Sequence, residues 1–209
     1  MTPAAAVTPK ERIWQACREK RCCSYYIVIL TGHDMVRIAR RLDLPPSVFT
    51  RLVDAPPDAS DAFRLDGSGR AYQMILAKQP QSPDGLAACT FLTRLPDGHA
   101  ICGLGVERPA MCRAYPFVLH GSLLGVAESS ACTCRTWALA QIDSASELAL
   151  ARRVEAERAE HQTTVSEWNR RVTASARRHA YVEYCDFLIG WHAATATRDS
   201  SAAIDAGSV

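Results

Sequence analysis

Nine cysteines are spread along the 209-residue chain in a pattern that suits metal ligation better than disulfide pairing. Five of them, Cys89, Cys102, Cys112, Cys132 and Cys134, fall in residues 89–134. Short apolar runs alternate there with turn residues, so the thiols are expected at the ends of small strands and turns where a metal can gather them. Three more, Cys17, Cys22 and Cys23, come early. Four residues between Cys17 and Cys22 allow both to face one metal across a turn. The vicinal pair normally projects in different directions, so each serves a different metal or only one ligates. In Cys132-Thr-Cys134 a period of two puts both thiols on one face of an extended segment. An odd number of cysteines also leaves one unpaired in any all-disulfide scheme. The expected chemistry is therefore thiolate ligation of an iron-sulfur cluster or iron, with zinc as the alternative.

Charged and imidazole side chains near these thiols bear on the same chemistry. Arg108, Arg113 and Arg135 are each close in sequence to a proposed ligand. They either lower thiol pKa values from the free value of about 8.5 or are ordinary surface residues. Arg108 and Arg113 are the candidate cofactor contacts. His99 and His120 fall on turns, where a solvent-facing imidazole is expected rather than a ligand. Cys185 lies within a helical stripe and is expected to be a buried structural residue.

The elements that must position these groups read as α+β: small β-hairpins and short helices gathered around the cysteine cluster, followed by an amphipathic helical extension. SYYIVILT predicts a buried strand. Thr31 and Asp34 form a capping-box pattern ahead of a helix that ends near Leu44, before Pro45 and Pro46, and a second short helix is expected over residues 47–53. AFRLD and AYQMILA flank Gly67-Ser68-Gly69 as a hairpin. A strand from Cys89 turns at Pro96-Asp97-Gly98 and returns to Cys102, which would set Cys89 and Cys102 side by side. Arg108-Pro109 starts a turn or helix bearing Cys112, and a second hairpin surrounds His120-Gly121-Ser122. Ser144 with Glu147 and Thr164 with Glu167 predict two helix starts, the second opening a stripe that runs through Ala180 and Tyr184 to Trp191. The expected organisation is a metal-binding domain over residues 12–140, a helical extension over 141–194, and flexible tails at 1–11 and 195–209.

Composition narrows the function classes. Twenty-four Lys and Arg against 22 Asp and Glu leave a net charge of +2, which gives no strong nucleic-acid signal. The most apolar run, residues 25–30, is far shorter than the roughly 20 residues that cross a bilayer, so no membrane partner is expected. MTPAAAVTPKERIWQAC has no apolar core of a signal peptide, and a cytoplasmic location is expected. In that reducing compartment clustered cysteines mean metal or redox chemistry. Neither a GxGxxG nor a GxxxxGK[ST] phosphate loop is present.

Cys17, the Cys22-Cys23 pair, the Thr-x-x-Asp helix start, Cys89-x-Phe-Leu, the return to Cys102 and above all ERPAMCRAYPF resemble the YkgJ-like CxxCxxCC family. Its members are described as zinc- or iron-chelating proteins. The resemblance covers residues 17–137. The opening motif has one cysteine fewer than CxxCxxCC, which Cys132 or Cys134 could make up. A similar cluster occurs in a flagellin lysine methylase, so the resemblance also implies the option of an iron-sulfur enzyme. The competing expectation is a structural zinc module that binds a protein partner or nucleic acid.

Overall fold

In the computed structural model, the described residues are 8–18, 20–80, 87–127, 142–175 and 177–205, the last eleven as backbone only. The chain divides into two compact units, and both are discontinuous in sequence. One comprises residues 1–28 and 78–154, the other 29–77 and 155–209. Helices and small antiparallel sheets make the fold α+β. Cys132 and Cys134, with Arg135, lie outside the described residues.

In the first unit, helix α1 spans Pro9–Ala16. Thr8 caps it by accepting the Glu11 amide at 3.1 Å, and Pro9 sits where a missing N–H costs nothing. The helix thus starts inside the stretch expected to be a loose tail. Lys20 then takes a left-handed turn, at φ 45°, into the short helix α2, Arg21–Tyr25, which carries Cys22 and Cys23. This corrects the expectation of a strand over SYYIVILT. The segment makes only an isolated bridge, Ile29 with Ile75, and Tyr25 and Ile27 are exposed. Ser24 and Tyr25 are taken up by α2, and the run meets the strand Ala71–Leu76 only at its end, where the Leu30 amide donates to the Met74 carbonyl at 2.9 Å, too short a contact for a strand.

Later in that unit β4, Leu92–Arg94, pairs with β5, Ala100–Cys102. Gly98 at φ 81° makes the turn between them. Cys102 faces Leu92 in this ladder, whereas Cys89 precedes the strand and bridges to Lys78, so the two cysteines are not cross-strand partners as expected. Cys112 lies on α5, Ala110–Ala114. β6, Phe117–His120, and β7, Leu123–Val126, close the expected hairpin over Gly121. The packing that supports α5 is apolar: Ala110 and Ala114 meet Val154 and Leu150. Beside it the buried Lys10 ammonium donates to the Ala114 carbonyl at 2.9 Å and to Glu147 at 2.5 Å.

Helix α6, Ser144–Ser175, is shared in sequence by both units. Asp143, rather than Ser144, caps it, accepting the Ala145 and Ser146 amides. The second start expected at Thr164 does not form. Helix continues on both sides, so no free amide awaits a cap, and the Thr164 hydroxyl donates instead to the Glu160 carbonyl at 3.0 Å.

In the second unit, helix α3, Gly32–Leu42, carries the full capping box of Thr31 and Asp34 and ends at a left-handed Asp43. Helix α4 is only Pro46–Phe49. The chain then becomes β1, Thr50–Asp54, because Thr50 to Asp54 find ladder partners from Leu76 to Tyr72 on β3, Ala71–Leu76. That ladder overrides the helix expected to Val53. β2, Phe63–Arg64, pairs on the other side of β3 through the expected hairpin. Helix α7, Tyr181–Asp205, begins after a break that interrupts the single stripe expected from Thr164 to Trp191, and it runs past Thr195. Its start is fixed by Glu183, which accepts the Ala180 amide at 3.1 Å. The core is aromatic: Phe63 stacks on the fully buried Tyr184 at 3.8 Å between centroids, and the Trp168 indole donates to the Arg64 carbonyl at 2.7 Å.

Among the described residues no helix is long and apolar enough to cross a membrane.

Candidate metal centre

Six of the eight proposed cysteine ligands, Cys17, Cys22, Cys23, Cys89, Cys102 and Cys112, belong to the first unit, and all six are free thiols. The two groups meet through the backbone, where the Cys89 amide donates to the Cys23 carbonyl at 2.8 Å. The thiols also sense one another. The Cys23 thiol donates to Cys22, which brings Cys22 down to about 7, while Cys23 as the donor is pushed far up. Cys112 and Cys89 add to that upward push on Cys23. Burial raises Cys89, with Cys102 contributing, and burial also raises Cys102.

Cations stand among these sulfurs. Lys20 is 1% exposed, and its ammonium donates to the carbonyls of Trp14 at 2.6 Å and Cys17 at 2.7 Å. Burial lowers its pKa, and Cys17, Cys23 and Cys22 oppose that. Lys78 donates to the carbonyls of Tyr26 at 2.6 Å and Cys23 at 3.2 Å. Burial lowers it too, against Cys89, Cys23, Cys112 and Cys22. Arg108 is buried, with its guanidinium 3.7 Å from the Trp14 ring centroid, its Nε on the Gly105 carbonyl at 3.0 Å and Glu11 as its ion-pair partner. Its charge pulls Cys102 down against burial. Arg113 is half-buried in the last turn of α5, next to Cys112. His99 is half-exposed on its turn and held by Asp97 and Arg18, and His120 is exposed. Cys185 is buried in the second unit.

A second cluster was not expected from the sequence. His33 on α3, Glu160 on α6 and His192 on α7 have ligand atoms that all lie within 4.8 Å of one another. Among the described residues no three cysteine sulfurs are that close. Each of the three lies on a separate helix, more than 30 residues from the next, so no local spacing signals them. The second unit also holds a cavity of about 370 Å³ lined by Asp58, Asp61, Gln73, Glu155, Arg158 and His161 among others.

No family model, no curated protein and no solved structure matches the chain.

Proposed function

We propose that the first unit holds an iron-sulfur or multi-iron centre through clustered cysteine thiolates, in a reducing cytoplasm. The supporting observation is the placement of Lys20 and Lys78. Each ammonium is anchored on carbonyls of the first cysteine segment and lies within electrostatic reach of at least three thiols. A polythiolate centre accumulates negative charge, and fixed cations beside it favour the deprotonated sulfurs. Two desolvated ammoniums would otherwise be costly there. Eight candidate thiolates, counting Cys132 and Cys134, exceed the four that one tetrahedral zinc takes. The likeness of ERPAMCRAYPF to the YkgJ-like family points the same way. When bound, such a centre supplies electron transfer or activation of a substrate. The chain's part is to hold it: α2 and α5 present thiols, and Lys20, Lys78 and Arg108 balance their charge.

A structural zinc module for a protein partner is the second reading. It is favoured by the exposure of Tyr25, Ile27, Val106 and Leu123, all in the same unit. Anaerobic purification followed by visible spectroscopy and assay of iron, acid-labile sulfide and zinc separates the two. Brown protein containing iron, whose content falls in Cys112→Ser, supports the iron reading. Colourless protein whose zinc is thiolate-bound and lost in Cys112→Ser replaces it with the module. Cys112→Ser with unchanged metal and unchanged stability removes Cys112 from the ligand set, since metal binding and folding are coupled.

A further inference from the structure

The second unit carries ligands of a different kind. The His33 Nε2 lies 2.7 Å from one oxygen of Glu160, and the His192 Nδ1 lies 3.5 Å from the other. The two imidazoles are 4.3 Å apart between centroids and inclined by 53°. A metal bonded to nitrogen and oxygen at about 2.1 Å holds its tetrahedral donors about 3.4 Å apart. Since every pair here is already within 4.8 Å, closure on an ion takes shifts of less than about 1 Å per donor.

The surroundings fit this arrangement. Gly32, the first residue of α3, lies directly under the His192 ring, and a Cβ there would come within 2.2 Å of Nε2. Glycine therefore lets the imidazole seat against the backbone, which leaves Nδ1 towards Glu160. The Gly32 amide donates to the buried His161 Nδ1 at 3.2 Å, so the next residue along α6 pins the first turn of α3. His33 is about one-third exposed, which gives an ion a path from solvent.

We propose that His33, Glu160 and His192 form a second metal site, for a divalent first-row ion such as zinc or iron(II). Two imidazoles and one carboxylate are borderline-hard donors and select such ions without a thiolate. Three ligands leave coordination positions for water or for an oxygen-donor substrate. The site is separate in donor chemistry from the thiol centre and does not depend on that centre holding iron.

Metal-depleted full-length protein, kept reduced and anaerobic, is loaded with zinc or cobalt(II) and its metal counted. The expected result is that His33→Gln and Glu160→Gln each bind one equivalent fewer than the wild type, with far-UV circular dichroism unchanged. Their thiolate-to-cobalt charge-transfer absorption also stays unchanged, whereas Cys112→Ser loses that absorption and keeps the nitrogen-ligated equivalent. Gly32→Ala, which displaces His192, should weaken that equivalent about 10–100-fold, the usual cost of disturbing a ligand's support. Wild-type stoichiometry in both His33→Gln and Glu160→Gln overturns the site. If a variant fails to fold, X-ray absorption of the zinc-loaded wild type decides: an imidazole signature supports the site, and sulfur scatterers alone overturn it.

Discussion

In the unit formed by residues 1–28 and 78–154, the candidate ligands sit on the smallest pieces of the chain. They lie at the C-terminal end of α1, on the short helices α2 and α5, at the end of β5 and at the bridge before β4, whereas in the other unit they project from α3, α6 and α7. Behind the first arrangement the buried apolar side chains are Leu92, Leu104, Ala110, Ala114 and Phe117, carried on or beside these short elements. The second is held by a core of Phe63, Trp168, Tyr184 and Leu188. Ligands on short elements need the ion to fix them, while ligands on packed helices are placed before it arrives. The thiol region should therefore lose order on metal removal, and the imidazole cluster should keep its geometry.

The sharpest way to break that contrast is to damage one side and read the other. Phe63→Ala removes the ring stacked on Tyr184 and should cost about 3–5 kcal/mol in a urea titration. The iron or zinc content of the folded fraction at the thiol centre should be unchanged. Lys10→Met leaves Glu147 buried without its cation and should cost about 3 kcal/mol, again by urea titration. Because that pair supports α5, Cys112 should become more accessible to a thiol reagent in the metal-free protein. Cys185→Ser exchanges a buried thiol that is hydrogen-bonded to the Tyr181 hydroxyl for a smaller, more polar group at a cost of about 1 kcal/mol and should leave metal content untouched; loss of metal with the fold intact would make Cys185 a ligand.

The mildest effect is a pH dependence confined to the second unit. The guanidinium of Arg177, 2.6 Å away, together with the Ala180 amide and His179, brings Glu183 from its ordinary 4.5 down to about 2. A depressed carboxyl stabilises the fold above its unfolded pKa, and that contribution fades as pH falls from about 4.5 towards 2. Thermal unfolding of Glu183→Gln across this window should show a shallower acid loss than the wild type. An identical slope would mean that Glu183 does not set it.

Local signals in the sequence were legible where a rule acts within a few residues. The Thr31–Asp34 box, the turns at Gly98 and Gly121 and the hairpin over Gly67 to Gly69 are all formed. The same kind of signal misled where tertiary pairing decides. Thr164 and Glu167 spell a helix start inside a continuous helix, and residues 50–53 give up helix for a ladder with β3. Cysteine is rare enough for its clustering to stand out. Histidine and glutamate on three separate helices are not, and only the packing of those helices brings His33, Glu160 and His192 together.

The interleaving of the two units sets an order of assembly. The segment bearing Cys17, Cys22 and Cys23 is synthesised first, yet Cys89 and Cys112 emerge only after the whole first half of the other unit has been made. Early thiols must therefore wait on the ribosome, open to oxidation or to capture of a stray ion, until their later counterparts arrive. A single cut after residue 154 keeps every residue of the first unit and strips the second of its later segment, so such a fragment would expose the half-built surface of the second unit and become a target for proteases.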